Sequence, residues 1–177
     1  PTEPGCLQIT VKRNLAGTVS NFLHDRLREG DPIELMAPFG QFTFREGEGD
    51  RLCLIGGGSG VTPIRAILRA IADQRLSVEA RLLYFNRSEE DIIFHREFAE
   101  LHRIHPGIRT TFALTDPAPG WAGLTGRISA EALDAALGDF TPDLVYVCGP
   151  PPLMEVTIEL LTARGIDRSR IRTEKFK

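Results

Sequence analysis

One short stretch constrains this chain more than any other. Gly56-Gly57-Gly58-Ser59-Gly60-Val61-Thr62-Pro63 stands between an apolar run, Leu52 to Ile55, and a run of helical spacing, Ile64 to Ala72. Glycines let a backbone turn tightly with positive φ and bring its N–H groups against an anion, and a helix that follows points its positive end at the same place. The stretch therefore reads as a phosphate cradle between strand and helix, or as a glycine-rich turn that only permits close packing. Thr62 and Pro63 are expected at the N-cap and first position of that helix, where the missing proline N–H costs nothing. The fingerprint Gly-x-Gly-x-x-Gly is not met, because Val61 and Pro63 stand where its third glycine belongs in the two possible frames. No Gly-Lys-Ser/Thr follows either, so the stretch is not a P-loop.

A chain of 177 residues has room for one ample domain, or for one domain and part of another. Its 21 basic and 24 acidic residues give a net charge of −3, with no basic block to track a nucleic-acid backbone. Nucleic acid is thus not an expected partner. No apolar run approaches the ~20 residues that cross a bilayer and no signal-like segment opens the chain, so membrane insertion is not expected and a cytoplasmic setting is the default. Cys6, Cys53 and Cys148 are odd in number and scattered, which encodes neither a disulfide framework nor a four-thiolate site. A start at Pro1 without Met and an end at Lys177 inside a strand-like run read as a piece of something longer.

Along the chain, Cys6 to Arg13 alternates like a half-exposed strand, Val19 to Leu27 has helical spacing, and Pro32 to Ala37 reads as a second strand. Residues Glu46-Gly47-Glu48-Gly49-Asp50 are polar and free of apolar anchors, the composition of a flexible linker. The boundary is placed there, giving 1–46 and 47–177. Beyond it strand and helix periods alternate: Leu52 to Ile55, then Pro63 to Asp73; Ala80 to Phe85, then Phe94 to His102; Ile108 to Leu114, then Ser129 to Leu137. Leu144 to Cys148 and Leu153 to Arg164 follow, and Ile171 to Phe176 is the last strand. Ser129 is expected to cap its helix, Ile128 to staple against Leu133, and Gly165 to close the helix before it. About five strands, apolar through and through, suit a parallel, doubly wound α/β sheet covered on both faces by helices. Ligands of such sheets bind beyond the carboxyl ends of strands, where the Gly56 loop and the Cys148-Gly149-Pro150 turn both fall.

In order and spacing these features resemble the ferredoxin–NADP reductase superfamily, particularly reductase components that pass electrons from a pyridine nucleotide through flavin to a [2Fe–2S] centre. Gly17-Thr18-Val19-Ser20, then Gly30-Asp31 and Ala37-Pro38-Phe39-Gly40-Gln41-Phe42, look like the second half of the family's antiparallel flavin-binding β-barrel. Gly56 to Pro63 matches its pyrophosphate loop, Cys148-Gly149-Pro150-Pro151-Pro152-Leu153-Met154 its Cys-Gly-Pro-x-x-Met element, and Glu174-Lys175-Phe176 its closing Glu-x-Phe. The resemblance implies a partial FAD-binding barrel over 1–46 and an NAD(P)-binding domain over 47–177. It implies hydride transfer from NAD(P)H to FAD and then single-electron transfer to an iron–sulfur centre on another domain or protein, with an oxygenase as a further partner. The family's Arg-x-Tyr-Ser/Thr segment, from the first half of the barrel, does not occur. A flavin-free nucleotide-binding or regulatory module, and a reductase domain serving a haem protein or oxygenase, are the alternatives.

The resemblance assigns residues, each with a plainer role beside it. Gly17, Thr18, Val19 and Ser20 open a helix at flavin pyrophosphate, or Ser20 is an ordinary helix-start serine. Gly57, Gly58, Ser59, Gly60, Thr62 and Pro63 hold the nucleotide pyrophosphate. Cys148 sets the distance between nicotinamide C4 and flavin N5 without forming a covalent bond, or is a buried structural thiol. Gly149, Pro150 and Met154 accompany it. Glu174 orients the nicotinamide, or is a solvated carboxylate, and Phe176 packs near the flavin or in the core. Asn86, Arg87 and Ser88 end the second strand of the nucleotide domain, where dinucleotide folds read the adenosine ribose; Arg87 and Ser88 suit a 2′-phosphate, against the nearby Glu89, Glu90 and Asp91. His102-x-x-His105 has no third ligand near it and is given no metal.

Overall fold

The computed structural model describes residues 5–36 and 40–175. An apolar strand is stable only where both faces are covered, and here the two faces of one sheet feed two separate cores. Strand β1 (Arg51–Gly57) sends Leu52 and Leu54 into one core and Cys53 and Ile55 into the other. Strand β2 (Glu79–Asn86) divides likewise, Leu82 and Tyr84 against Leu83 and Phe85, and β5 (Leu144–Gly149) divides Tyr146 and Cys148 against Val145 and Val147. Helices α2 (Val61–Asp73) and α3 (His95–Ile104) cover the first face through Ile64, Leu68, Phe98 and Leu101. Helices α4 (Ala130–Leu137) and α5 (Pro151–Ala163) cover the second through Leu133, Leu137, Met154 and Leu161.

With β3 (Ile108–Leu114), β4 (Leu124–Thr125) and β6 (Ile171–Lys175), the sheet runs β4-β3-β2-β1-β5-β6, and every pairing is parallel. Successive strands step outward from β1 in one direction and, after β4, resume on its other side at β5. That reversal puts a crevice between the carboxyl ends of β1 and β5. The doubly wound α/β sheet expected from the sequence is therefore present, with one strand more than the five anticipated. The addition is β4, whose two residues are too short to carry a period.

Several local expectations hold. Ser129 accepts a hydrogen bond from Ala132 N at 3.2 Å and caps α4. Gly165, at φ 87°, follows α5 with Gly165 N on Thr162 O and Ile166 N on Leu161 O, the two crossed bonds of a Schellman closure. Others are corrected. Helix α2 begins two residues early, with Gly60 at its N-cap, so Thr62 and Pro63 lie inside the first turn, and the Thr62 hydroxyl donates to Ser59 O at 3.0 Å. Phe94 precedes α3 in the left-handed region, at φ 62°.

Upstream of residue 51 the described residues contain one helix, α1 (Thr18–Asp25), and no strand. The runs 6–13 and 32–36, expected as strands, are irregular, because alternation alone makes no ladder when nothing among the described residues pairs with it. Residues 37–39, within the barrel reading, lie outside the described residues. Helix α1 is held instead by Arg13, whose guanidinium grips the Asp25 carboxylate at 2.6 and 2.9 Å, and by His24 against Val11 O at 2.9 Å. The Asp25 carboxyl lies below its ordinary value because of the Arg13 hydrogen bonds. No helix among the described residues is long and apolar enough to cross a membrane.

Candidate functional site

The crevice is built by the glycine loop on one side and the turn after β5 on the other. After β1, Gly58–Gly60 form a single 3-10 turn that leads into α2. Its glycines do different jobs. Gly58 adopts φ +53°, a left-handed conformation. A Cβ on Gly60 would fall 2.3 Å from Cys148 O, and one on Gly57 2.5 Å from Leu153 Cδ2. The loop thus lies against the β5–α5 turn at a distance only glycine allows, and its half-buried backbone at Gly58 and Ser59 stands ahead of a 13-residue helix. Tyr84, reaching from β2, donates its hydroxyl to Gly58 O at 2.9 Å and fixes the loop's outer carbonyl. Burial pushes the Tyr84 phenol up to about 12.

A cleft of about 630 Å³ opens at this end of the sheet, with Gly57, Gly58, Asn86, Arg87, Pro150 and Leu153 among its walls. Lys12, Arg127 and Asp91 also line it, so its charged groups are three cations and one carboxylate. The Lys12 ammonium lies 3.7 Å from where a Cβ on Gly58 would stand. Asn86 is 7 % exposed, and among the described residues neither atom of its amide has a partner of hydrogen-bond geometry, although the Tyr84 phenol is near enough to feel it. A buried amide left unpaired costs about 1–3 kcal/mol, which a polar ligand group would offset. A net-positive cleft, a glycine cradle that a Cβ would fill and an orphaned amide together fit a dinucleotide.

The remaining assigned residues fall into three groups. Ser59, Gly60, Thr62 and Pro63 build the loop without lining the cleft, and Ser88 is spent locally, its hydroxyl donating to Asp91 at 2.8 Å. That bond is the main reason the Asp91 carboxyl lies below its ordinary value. Arg87 is 79 % exposed and 3.5 Å from Asp116. Cys148 and Glu174 are paired across β5 and β6, with Gly149 opposite Lys175. Cys148 is fully enclosed, and burial, with the Glu174 charge adding, pushes its thiol up to about 12. Met154 points away from the cleft into the second core. Phe176 lies outside the described residues.

At α1, Ser20 bonds to Asn14 N at 3.1 Å and braces the turn before the helix. A second recess, of about 460 Å³, lies along Gly17, Thr18 and Phe22, without Val19 or Ser20. The two histidines each meet a carbonyl: His102 at Ile108 O (2.7 Å) ties α3 to β3, and His105 at Leu76 O (2.8 Å) ties the end of α3 to the connection between α2 and β2. Lys12, Leu153 and Arg127 were not found from the sequence, because each reaches the cleft only through tertiary closure. Arg127, two residues before a capped helix, was the one with a positional hint.

A doubly wound sheet with a glycine cradle and a positive cleft at its reversal point defines a dinucleotide-binding domain. Residues 54–159 match the family model described as "Oxidoreductase NAD-binding domain", and the chain belongs to that family, within the ferredoxin–NADP reductase superfamily. The chain is 31% identical over 179 residues to the glycine betaine monooxygenase reductase subunit of Chromohalobacter salexigens, covering 99% of this chain and 49% of that protein. Among solved structures, the Amycolatopsis cytochrome P450 reductase GcoB superposes with a TM-score of 0.81 at 29% identity, over 94% of this chain and 50% of that one. The cytochrome b5 reductase domain of Ulva prolifera nitrate reductase also gives 0.81, at 28% identity, over 90% and 66%. The chain spans about half the length of the curated relatives it matches.

Proposed function

We propose that this chain is the NAD(P)H-binding part of a flavin-dependent electron-transfer reductase, with residues 1–46 on the flavin side and 47–177 on the nucleotide side. The observation that carries the reading is the orphaned Asn86 amide in a cationic cleft beside the glycine cradle. When bound, reduced nicotinamide and FAD supply hydride transfer followed by release of single electrons, which a [2Fe–2S] domain or protein accepts on behalf of an oxygenase or haem partner. The names of the monooxygenase reductase subunit and the P450 reductase support that class of partner.

The chain's own residues supply position. Backbone at Gly57 and Gly58 and the α2 terminus receive pyrophosphate, with Lys12 adding charge. Asn86 and Arg87 meet the adenosine ribose. Pro150 and Leu153 form an apolar wall that excludes water. Cys148, which burial keeps a neutral thiol, does not line the cleft and sets distance from behind its wall, where it underlies the Gly149–Pro150 turn, and Glu174 beside it orients the ring.

Calorimetric titration of the chain with NADH and NADPH tests the reading. Binding is expected, and Asn86→Ala should weaken it about fivefold without lowering the melting temperature, because neither amide atom has a partner of hydrogen-bond geometry among the described residues. No heat with either nucleotide would defeat the proposal. Flavin in the full-length protein should bleach on nucleotide addition.

A further inference from the structure

Residues 46–50 have the composition of a free linker, but the segment from Thr43 to Arg51 is pinned to the sheet. Arg172, on β6, donates to Thr43 O at 2.6 Å and to the Tyr146 hydroxyl at 2.8 Å. It also holds both oxygens of Glu48, at 2.9 and 3.1 Å. Tyr146 donates to the same Thr43 carbonyl at 2.9 Å, and its ring meets Phe42 edge-on with centroids 5.3 Å apart. The Glu48 carboxylate accepts from Arg45 N at 2.8 Å, and Asp143 accepts from Asp50 N and Arg51 N at 2.9 Å each.

The place of this latch on the sheet gives it meaning. Tyr146 is paired with Arg172, and Cys148 with Glu174, on the same two strands. Side chains two residues apart share a strand face, so latch and reacting edge are one pleat repeat apart, roughly 6.6 Å along the ladder. Between them the pairing is continuous, with Val147 opposite Thr173. The geometry points to Arg172 as a positioning residue: through Thr43, near the end of the flavin-side segment, and Glu48, just past the boundary, it fixes that segment to the strand pair that carries Cys148 and Glu174, and so sets the approach of the two rings. This inference rests on the reductase reading above.

Two measurements test it, with Arg172→Met and, should that variant fail to fold, Glu48→Gln. In the 177-residue chain, amide hydrogen exchange over 43–50 should quicken about tenfold in either variant while β1 and β2 stay protected. Unchanged exchange overturns the latch. In the full-length flavin-loaded protein, the limiting rate of flavin reduction at saturating nucleotide should fall about tenfold, nucleotide affinity should hold within about twofold, and Arg172→Lys should recover part of the rate. A freed segment with an unaltered rate overturns the positioning role. A full-length wild-type protein whose flavin is not bleached overturns the reductase reading and the positioning role with it, leaving the exchange result to judge the latch alone.

Discussion

At the scale of single residues, the glycine loop joins two readings that its sequence left side by side. Gly58 supplies backbone freedom facing the cleft, whereas Gly60 is glycine because Cys148 O leaves no room for a side chain. Gly60→Ala must therefore push the loop off the β5–α5 turn, and we expect a loss of about 3 kcal/mol in urea unfolding. Gly58→Ala is expected to cost about 1 kcal/mol by conformation alone, with nucleotide affinity falling as the cradle narrows. A Gly60 variant as stable as the wild type would show that the loop has slack. Asn86 and Arg87 were legible because their position follows from the end of a recognisable strand. Lys12 was not, since nothing in its neighbours' pattern says that it folds back over Gly58.

At the scale of elements, an apolar run reports its own burial, which is why β1, β2, β3 and β5 could be read to within two residues. A two-residue strand such as β4 has no period to read, and alternation at 6–13 describes a surface without supplying a partner. Helix starts were read to the same margin, and the cap residue was the harder part. The 3-10 turn at Gly58–Gly60 carries the chain into α2 ahead of Thr62, while Ser129 stands where its hydroxyl reaches Ala132 N. Ser129→Ala should destabilise the domain by about 1 kcal/mol, read as a lower melting temperature, and Ser129→Asp should restore most of it. Equal stability in the alanine variant would remove the cap from the account of α4.

At the scale of the molecule, the segment around Glu48 behaves as part of the sheet because Arg172 supplies a partner that composition cannot reveal. The Arg172 hydrogen bonds hold the Glu48 carboxyl below its ordinary 4.5. A carboxyl depressed by folding stabilises the folded state fully above its unfolded value, and that stability is lost as pH falls through the folded value. Asp25 and Asp91 act with the same sign. Melting temperature should therefore drop as pH is lowered below about 4.5, and Glu48→Gln should flatten part of that slope. A Gln variant with the wild-type slope would assign the acid sensitivity elsewhere. The sheet order has a separate consequence in time. Strand β1 pairs with β2 nearby but also with β5, where Leu52 meets Leu144 far along the chain. Pairings so remote carry the larger loop-closure cost, and we expect them, with the Pro150–Leu153 wall of the cleft, to close late in folding. A refolding chain is then expected to gain its grip on a nucleotide only at the end of assembly, so that ligand capture would be a clock for the last step of folding; capture in stopped-flow refolding that precedes the final phase would overturn this.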